Sequence, residues 1–431
     1  MIFDHFCTNA STMKTPFFIL HFSFFIFLFS TGFSSCSKEE TYLDSEPKPI
    51  RLSADQQAMV QNGQGFAFDL FREVVANAKE EENVFISPLS VSLALAMTYN
   101  GADGTTKTAM HDAMQLPDLP TDKINEAWQQ LIKDLQSVDP KVLLTIANSI
   151  WYDHMFQVEP PFISTNRTYY NAEVRALDFT DAGAVDIINQ WVAENTNKLI
   201  EKIIDNIPQE AVMYLVNAIY FKGQWTYEFD PAATQQESFY LADGTTKMVD
   251  MMSQSADMNF YRHEQFRVAE LPYGRGNYSM IVVLPNHDVS MASITQQLDN
   301  TFWNDLSEKH FSKRELVVSL PKFRFAFEQK LKDALTNMGM GIAFAPNMAN
   351  FSGINPLAEL FINEVFHKAF VEVNEEGTEA AAVTAVEVGI TSVGPDTPEF
   401  FTVNRPFLFF IRETTTNAII FAGRVMEPVE E

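Results

Sequence analysis

Cysteine is almost absent from this sequence. The chain has two cysteines, Cys7 and Cys36, and both precede the globular region. No disulfide framework, cysteine-based zinc site or catalytic cysteine can therefore form in the rest of the chain. The eight histidines are scattered along the sequence rather than clustered. We accordingly expect no metal site and no cofactor.

Basic residues are also scarce. The chain has 30 Lys and Arg against 56 Asp and Glu, which gives a formal net charge of −26. An anion of this size repels nucleic acid and acidic lipid, so DNA binding, RNA binding and polybasic membrane binding are excluded as main functions. The hydrophobic fraction of 46% is ordinary for a globular protein, and 431 residues suffice for one large core or two smaller domains.

The motifs of common enzyme classes are missing as well. The sequence contains no Gly-x-Ser-x-Gly, no His-Glu-x-x-His, no P-loop and no Gly-x-Gly-x-x-Gly. Glycine pairs such as Gly339-Met340-Gly341 are better explained as turns. Nothing in the sequence therefore indicates an enzyme.

The N-terminus has the pattern of an export signal. Met13-Lys14 precedes an apolar run at 17–29 that is broken only by His21 and Ser23. The run is shorter than the roughly 20 residues that a membrane span requires, but it fits the apolar core of a signal peptide. We predict a signal peptide over residues 1–35, with Met13 as a candidate for the true start.

The run ends at Phe33-Ser34-Ser35-Cys36, which resembles a bacterial lipobox with Phe33 in place of the usual aliphatic residue. The resemblance implies acylation of Cys36, which would anchor the protein in the outer membrane or on the cell surface of a Gram-negative bacterium. The polar residues of segment 36–54 are typical of a flexible tether. The alternative is plain secretion without an anchor.

Helical patterns lead the globular part, from residue 55 onward, and strand patterns dominate later. Apolar spacing predicts a helix over Gln56–Ala78, and Pro88 in a first turn predicts a second helix from Ser87 to Asn100. Further predictions are strands at Val142–Trp151, Val212–Phe221, Ser279–Leu284, Leu316–Leu320, Phe323–Phe327 and Phe361–Val373, a short helix at Lys330–Met338, and a late hairpin of Leu408–Ile411 with Ala418–Val425. Without a regular βαβ alternation, the order indicates an α+β fold on large antiparallel or mixed sheets.

One segment near the C-terminus combines a strand pattern with a loop. Read with a period of two, Thr378 to Thr391 has one uncharged face that begins with the small residues Thr378, Ala380 and Ala382. Loop-forming residues follow at Gly394 to Pro398. The segment is therefore either a permanent core strand before a turn, or a strand that can enter a sheet from an exposed loop.

Motifs along the whole chain favour the second of these two interpretations. They are Asn83-Val84-Phe85-Ile86-Ser87-Pro88, Asn189-Gln190-Trp191-Val192, Val216-Asn217-Ala218-Ile219-Tyr220-Phe221-Lys222-Gly223-Gln224-Trp225, Leu320-Pro321-Lys322-Phe323, His367-Lys368-Ala369, Glu375-Glu376-Gly377-Thr378-Glu379-Ala380, Asn404-Arg405-Pro406-Phe407 and Gly423-Arg424-Val425. In this order and spacing the sequence resembles the serpin family of serine protease inhibitors over almost its whole mature length.

The resemblance implies one serpin domain over 55–431, with three β-sheets, about eight or nine helices and an exposed reactive loop at about 375–403. It also implies a mechanism in which a target protease cleaves the loop and is trapped as an acyl-enzyme when the loop inserts into the central sheet. The loop hinge would be Glu375, Glu376, Gly377, Thr378, Glu379, Ala380, Ala381 and Ala382. The residues that govern opening of the sheet would be Ser87, Ser90, Asn217, Trp225 and His367.

Counting by the family pattern places the reactive bond at Thr391-Ser392, with Ile390-Thr391 and Val388-Gly389 as fallback bonds. No Lys or Arg lies between Gly377 and Val403, so a trypsin-like pocket would find no basic partner. We therefore expect elastase-like, subtilisin-like or papain-like targets. The target protease is the expected partner of a monomeric protein that contacts the membrane only through its lipid anchor. The alternative function is that of a non-inhibitory serpin acting as a surface binding protein.

Overall fold

A computed structural model describes residues 47–308, 310–378 and 398–430. The helices are α1 (Ala54–Asn77), α2 (Pro88–Tyr99), α3 (Gly104–Ala113), α4 (Thr121–Ser137), α5 (Pro160–Tyr170), α6 (Gly183–Asn195), α7 (Met291–Gln296), α8 (Asn300–Glu308) and α9 (Lys332–Leu335). The strands are β1 (Val84–Ile86), β2 (Val142–Asp153), β3 (Glu173–Leu177), β4 (Met213–Gln224), β5 (Gln235–Tyr240), β6 (Thr246–Arg262), β7 (Phe266–Tyr273), β8 (Tyr278–Pro285), β9 (Ser312–Pro321), β10 (Phe323–Lys330), β11 (Phe366–Val373), β12 (Gly377–Thr378), β13 (Glu399–Thr402), β14 (Phe407–Glu413) and β15 (Ile419–Val425).

The first two helices begin where local sequence signals place them. Ser53 and Gln56 form a capping box at the start of α1, in which each side chain bonds the backbone N–H of the other residue. At the start of α2, the Ser87 hydroxyl caps the N–H of Ser90, and Pro88 occupies the first turn. These caps satisfy amide groups that have no partner within the helix.

The strands of the described residues form two hydrogen-bonded sheets. A nine-stranded sheet runs in the order β1-β15-β14-β8-β7-β6-β9-β13, with β5 paired to β6, and a six-stranded sheet runs β10-β11-β12-β4-β2-β3. The α+β serpin class with nine α-helices in the described ranges is confirmed. The expected third sheet is part of the nine-stranded one, because the 17-residue β6 pairs with β5, β7 and β9 in turn.

The core lies between the two sheets and under α1 and α2. Both strands of the predicted late hairpin, β14 and β15, are buried at every residue. Their rings stack on Phe85 of β1, with centroid distances of 5.6 Å to Phe409 and 5.0 Å to Phe421. Complete burial of one such side chain contributes roughly 1.5–3 kcal/mol to the free energy of folding. These two apolar runs are therefore strands of the core, as the sequence predicts.

Two predicted elements differ from the structure. The strand expected over Phe361–Val373 begins only at Phe366, because its pairing with β10 starts opposite Lys330. The helix expected over Lys330–Met338 is reduced to α9 and a wider π turn that extends to Met340 and contains Gly339 with a φ of 103°. Among the described helices, none is long and apolar enough to cross a membrane.

The C-terminal end of the expected tether is bound to the domain. The backbone N–H and carbonyl of Lys48 both bond to the side chain of Asn277, at 3.0 and 2.7 Å, and the Ile50 N–H donates to the hydroxyl of Thr415 at 3.0 Å. Extended backbone from residue 47 to 53 is thus fixed before α1 begins. The preceding part of the expected tether and the signal peptide lie outside the described residues.

Candidate functional site

The strand β12 lies between two long strands of the six-stranded sheet. Gly377 and Thr378 pair antiparallel with Gln224 and Gly223 of β4, and Thr378 also pairs with Val373 of β11. Within the described ranges, no β-pairing joins β4 directly to β11. We call the space between these two strands the β4–β11 gap. Its entrance lies at Thr378, the last described residue of β12.

The turn that leads into β12 is held by Asn374 and Trp225. The Asn374 side-chain oxygen accepts hydrogen bonds from the N–H groups of Glu376 and Gly377, at 3.1 and 3.2 Å. The Trp225 indole N–H donates to the Asn374 carbonyl at 3.0 Å, and the Trp225 backbone N–H donates to the Glu376 carbonyl at 2.9 Å. Trp225 therefore fixes the position at which the chain turns into the gap.

Glu375 is anchored on the opposite side of this turn. One carboxylate oxygen accepts the Thr234 hydroxyl at 2.8 Å and the other lies 3.1 Å from Lys322 Nζ, while the Glu375 carbonyl accepts the Phe229 N–H at 3.0 Å. Partial burial acts to raise the pKa of Glu375, but the hydrogen bonds and the Lys322 charge outweigh it and lower that pKa. The carboxylate is thus ionised and held in place at neutral pH.

Gly377 is required by a close approach of two backbones. A Cβ atom at this position would lie 2.0 Å from the carbonyl oxygen of Gly223 on the neighbouring strand. The backbone of Gly377 can therefore reach its ladder position only without a side chain. This gives a steric reason for the glycine that the family pattern places in the hinge.

Thr378 points into the protein at the entrance of the β4–β11 gap. Its side chain is buried, and its hydroxyl lies 2.7 Å from the hydroxyl of Tyr273, whose ring stacks on Trp225 at a centroid distance of 4.4 Å. Burial raises the pKa of Tyr273, so the phenol stays protonated. A cavity of about 20 Å³ adjoins Thr378 and is lined by β4 and β11, including Phe221 and Phe370.

Ser87, Ser90 and His367 form one buried group below the sheet. The Ser87 N–H donates to His367 Nε2 at 3.2 Å, the Ser90 N–H donates to the Ser87 hydroxyl at 3.2 Å, and that hydroxyl donates to the Ile420 carbonyl at 2.8 Å. His367 lies on β11 and is fully enclosed, and burial lowers its pKa to about 4. The imidazole is therefore neutral and accepts a hydrogen bond through Nε2.

Asn217 bonds to a different partner from the Ser87 group. Its side-chain amide donates to Asn148 Oδ1 on β2 at 2.7 Å, and Asn148 in turn donates to the Tyr170 carbonyl at 2.8 Å. The Asn217 side-chain oxygen is buried without a hydrogen-bond partner in the described part of the chain. The five residues expected to govern opening of the sheet thus lie in three places. Trp225 lies at the hinge turn, Asn217 lies on the β4–β2 ladder, and Ser87 and Ser90 form one group with His367 of β11.

Strands occupy both ends of the segment that was expected to be loop from about 375 to 403. β12 forms at its start, and β13 pairs in parallel with β9 of the nine-stranded sheet at its end. β13 is held because Phe401 is fully buried, with its ring 6.1 Å from that of Phe260. Residues Glu379 to Ala382 of the expected hinge, the expected reactive bond Thr391-Ser392 and the fallback positions Ile390, Val388 and Gly389 lie outside the described residues.

Sequence reasoning missed the residues that hold the hinge from outside. Asn374, Tyr273, Thr234 and Lys322 contact the hinge but were given no role. Asn374 could have been found locally, because an Asn before a Glu-Glu-Gly turn commonly bonds the next backbone amides. The other three lie at least 53 residues from Glu375 in the sequence, and no local pattern reports such contacts.

One group of side chains meets the distance criterion for a metal site. Asp153, His154 and Asp178 bring ligand atoms within 4.8 Å of one another, at the end of the β2–β3 pair. Both carboxylates already accept hydrogen bonds from the backbone, Asp153 from Met155 and Asp178 from Thr180. Exposed carboxylates commonly approach each other in this way, and the group carries no conclusion about a bound ion.

Comparison with known proteins gives consistent matches over most of the chain. The family model described as Serpin (serine protease inhibitor) matches residues 61–428. A curated relative, an uncharacterized serpin-like protein from Methanosarcina acetivorans, is 34% identical over 383 residues, which are 88% of each chain.

Two solved structures show the same architecture. The thermophilic serpin tengpin in the native state superposes with a TM-score of 0.79 at 32% identity, covering 89% of this chain and 97% of tengpin. Human thyroxine-binding globulin, solved as a complex with its hormone, superposes with a TM-score of 0.80 at 29% identity, covering 88% of this chain and 100% of the globulin.

Proposed function

This chain belongs to the serpin family, whose members are generally protease inhibitors rather than catalytic enzymes, and we propose that it is a suicide-substrate inhibitor of endopeptidases. A target protease cleaves the loop after residue 378 and forms an acyl-enzyme. The cleaved loop then extends β12 along the β4–β11 gap before the acyl bond is hydrolysed. The protease, still attached, is carried away from its point of attack and distorted.

The observation that carries this proposal is the place of Gly377 and Thr378, the described residues of β12, between β4 and β11. Beyond Thr378, the facing edges of these strands have no strand partner in the described ranges. Backbone N–H and C=O groups on such edges are a template for another strand, and pairing with them releases free energy. The next strand residues in the chain would be those that directly follow Thr378.

The sequence after Thr378 suits this insertion. The face that continues from the buried Thr378 consists of uncharged residues and starts with Ala380 and Ala382. Small uncharged side chains have no charge to desolvate, so their burial costs little free energy. Rapid entry is essential, since insertion competes with hydrolysis of the acyl-enzyme.

The proposed target class is serine endopeptidases with apolar or small primary pockets, together with papain-like cysteine endopeptidases. The support is the absence of Lys and Arg between Gly377 and Val403. A buried acidic specificity pocket discriminates strongly for a basic residue, which this segment does not offer. Elastase-like and subtilisin-like enzymes therefore fit the segment better than trypsin-like ones.

We further propose that the protein acts at a cell surface, tethered through acylated Cys36. The support is the apolar run at 17–29 followed by the lipobox-like Phe33 to Cys36. Labelling of expressing cells with a radioactive fatty acid tests this proposal. We expect label in the native protein and none in Cys36→Ser, and equal labelling of both would contradict the anchor.

The inhibitory function is tested by mixing the purified protein with neutrophil elastase, subtilisin, papain and trypsin on denaturing gels. We expect a band at the summed mass with elastase or subtilisin, none with trypsin, and cleavage mapped to Thr391-Ser392 or the fallback bonds. Cleavage without such a band would favour the alternative, a non-inhibitory serpin that acts as a binding protein. The similarity to a hormone-binding globulin shows that this fold also supports that role.

A further inference from the structure

A large open cleft lies outside the hinge region. Its volume is about 660 Å³, within the roughly 300–1,000 Å³ of small-molecule sites. It is formed by the C-terminal end of α1, the turn between β5 and β6, the segment from the end of β8 into α7, and the residues that flank β14 and β15. None of the residues that hold the hinge lines this cleft.

Two buried arginines line the cleft without a carboxylate partner. Arg405 is 9% exposed, and its hydrogen bonds go to the Pro285 carbonyl at 2.8 Å and the Asn404 side-chain oxygen at 3.2 Å. Arg424 is 5% exposed and bonds only backbone carbonyls, those of Lys79 and Glu82, both at 2.8 Å. In the described part of the chain, neither guanidinium forms a salt bridge. A buried cation with only neutral acceptors favours a nearby anion.

The other charged groups of the cleft do not supply that anion. Arg72 also lines the cleft, but it is paired with Asp69 and with the Leu298 carbonyl. Glu82 and Glu80 are both exposed, their carboxylates act on Arg424 only through space, and of the two only Glu80 lines the cleft. Burial, with a smaller contribution from the neighbouring Arg267, lowers the pKa of Arg405 to about 10, as expected where positive charge lacks compensation.

The remaining walls of the cleft are mainly apolar. They include Val75, Leu241, Pro285, Val289, Met291 and Met426. Apolar walls around a few charged groups are the usual composition of a site for an amphipathic small molecule. In a protein of net charge −26, a cleft with two unpaired buried cations attracts an anion against the overall field.

From these observations we propose that the cleft binds a small amphipathic carboxylate, with its charged head on Arg405 and Arg424 and its apolar tail along the Val289–Met291 wall. Dodecanoate has both features and serves as the probe. Acetate has the charge without the tail, and dodecyltrimethylammonium has the tail with the opposite charge. The binding function is independent of the inhibitory function proposed above.

The test uses titration calorimetry of the purified protein below the micellar concentration of each probe. We expect dodecanoate to bind and the other two probes to give no saturable heat. Ala292, an exposed residue of α7 that lines the cleft, provides the matched pair. Ala292→Glu adds a carboxylate to the cleft and is expected to weaken dodecanoate binding by about tenfold or more. Ala292→Gln introduces a side chain of nearly the same size as Glu but without the charge, and it is expected to leave dodecanoate binding unchanged.

A third variant tests the sign of the charge effect without adding bulk. Glu80→Gln removes the exposed carboxylate near Arg424 and is expected to tighten dodecanoate binding. The proposal is overturned if dodecanoate gives no saturable binding up to about 1 mM, if dodecyltrimethylammonium binds equally well, or if Ala292→Glu and Ala292→Gln bind dodecanoate alike. The midpoint of thermal unfolding of all three variants should equal that of the unmodified protein, which shows that each variant is folded.

Discussion

The hydroxyl groups of Tyr273 and Thr378 lie 2.7 Å apart, and both side chains are buried. Tyr273 ends β7 in the nine-stranded sheet, whereas Thr378 is the last described residue of β12 in the six-stranded sheet. One hydrogen bond therefore ties the start of the proposed inserting segment to the opposite sheet. It fixes the position of the last described residue of β12.

We expect Tyr273→Phe and Thr378→Val to destabilise the protein non-additively. Each variant leaves one buried hydroxyl without its partner, whereas the double variant removes both, so the coupling energy should be about 1 kcal/mol. Urea denaturation of the four proteins measures it. Strictly additive effects would show that the two hydroxyls do not bond each other in solution.

Gly377→Ala should impair both stability and inhibition. The added methyl group would lie 2.0 Å from the Gly223 carbonyl oxygen, so β12 would have to leave its ladder position. Gly63→Ala is the matched control, because a Cβ there meets nothing within 4 Å and Ala favours a helix interior by roughly 0.5–1 kcal/mol. The measurements are the midpoint of thermal unfolding and the yield of covalent complex with elastase. Equal behaviour of the two variants would contradict the steric role of Gly377.

A charge at Thr378 should convert the inhibitor into a substrate. Thr378 is 5% exposed, and an arginine there would have to bury a guanidinium or keep the chain out of the gap. Thr378→Arg should therefore be cleaved by elastase without forming covalent complex, while Thr378→Ser, which keeps the hydroxyl, should form it. Densitometry of denaturing gels gives the ratio of complex to cleaved protein. A full yield of complex from Thr378→Arg would refute this account of the hinge.

Stability should fall when the pH is lowered from about 6.5 to about 4, and His367 should account for part of the fall. Its pKa is lowered from 6.5 to about 4 by burial, so the unfolded chain binds a proton in this range and the folded chain does not. The stabilisation is complete above pH 6.5 and is lost as the pH falls through 4; it amounts to about 3 kcal/mol. Below pH 4 this group adds no further pH dependence.

His367→Gln should flatten the dependence of the unfolding midpoint on pH between 6.5 and 4. His154→Gln is the matched control, because it makes the same exchange at an exposed position. Identical pH profiles for the native protein and His367→Gln would show that this imidazole does not titrate with unfolding.

Local signals in the sequence predicted those parts of the fold that local chemistry determines. Apolar spacing and the proline in the first turn of α2 gave the starts of α1 and α2 within about two residues. By contrast, β11 starts where its first residue, Phe366, pairs with Lys330 of β10, and this pairing is a tertiary contact. The spacing of apolar residues and the intrinsic strand propensity do not indicate where pairing with another strand begins.

The hinge was predicted by resemblance, and its supports were not predicted at all. The two-residue period of the segment that begins at Thr378 was consistent with a permanent core strand and with a strand that enters a sheet from an exposed loop. What distinguishes the site is the contact of Trp225 with Asn374, 149 positions away, and of Tyr273 with Thr378, 105 positions away. Contacts at these separations depend on the complete fold, so a single sequence gives no direct signal for them.

The central claim is that the cleaved loop becomes a strand in the β4–β11 gap. Its most direct test is the thermal unfolding of the protein before and after cleavage of the loop by a protease that forms no complex with it. Insertion pairs the facing edges of β4 and β11, so we predict that the cleaved protein unfolds at a clearly higher temperature than the intact one. An unchanged or lower unfolding temperature after cleavage would mean that the loop does not enter the gap, and would contradict the account.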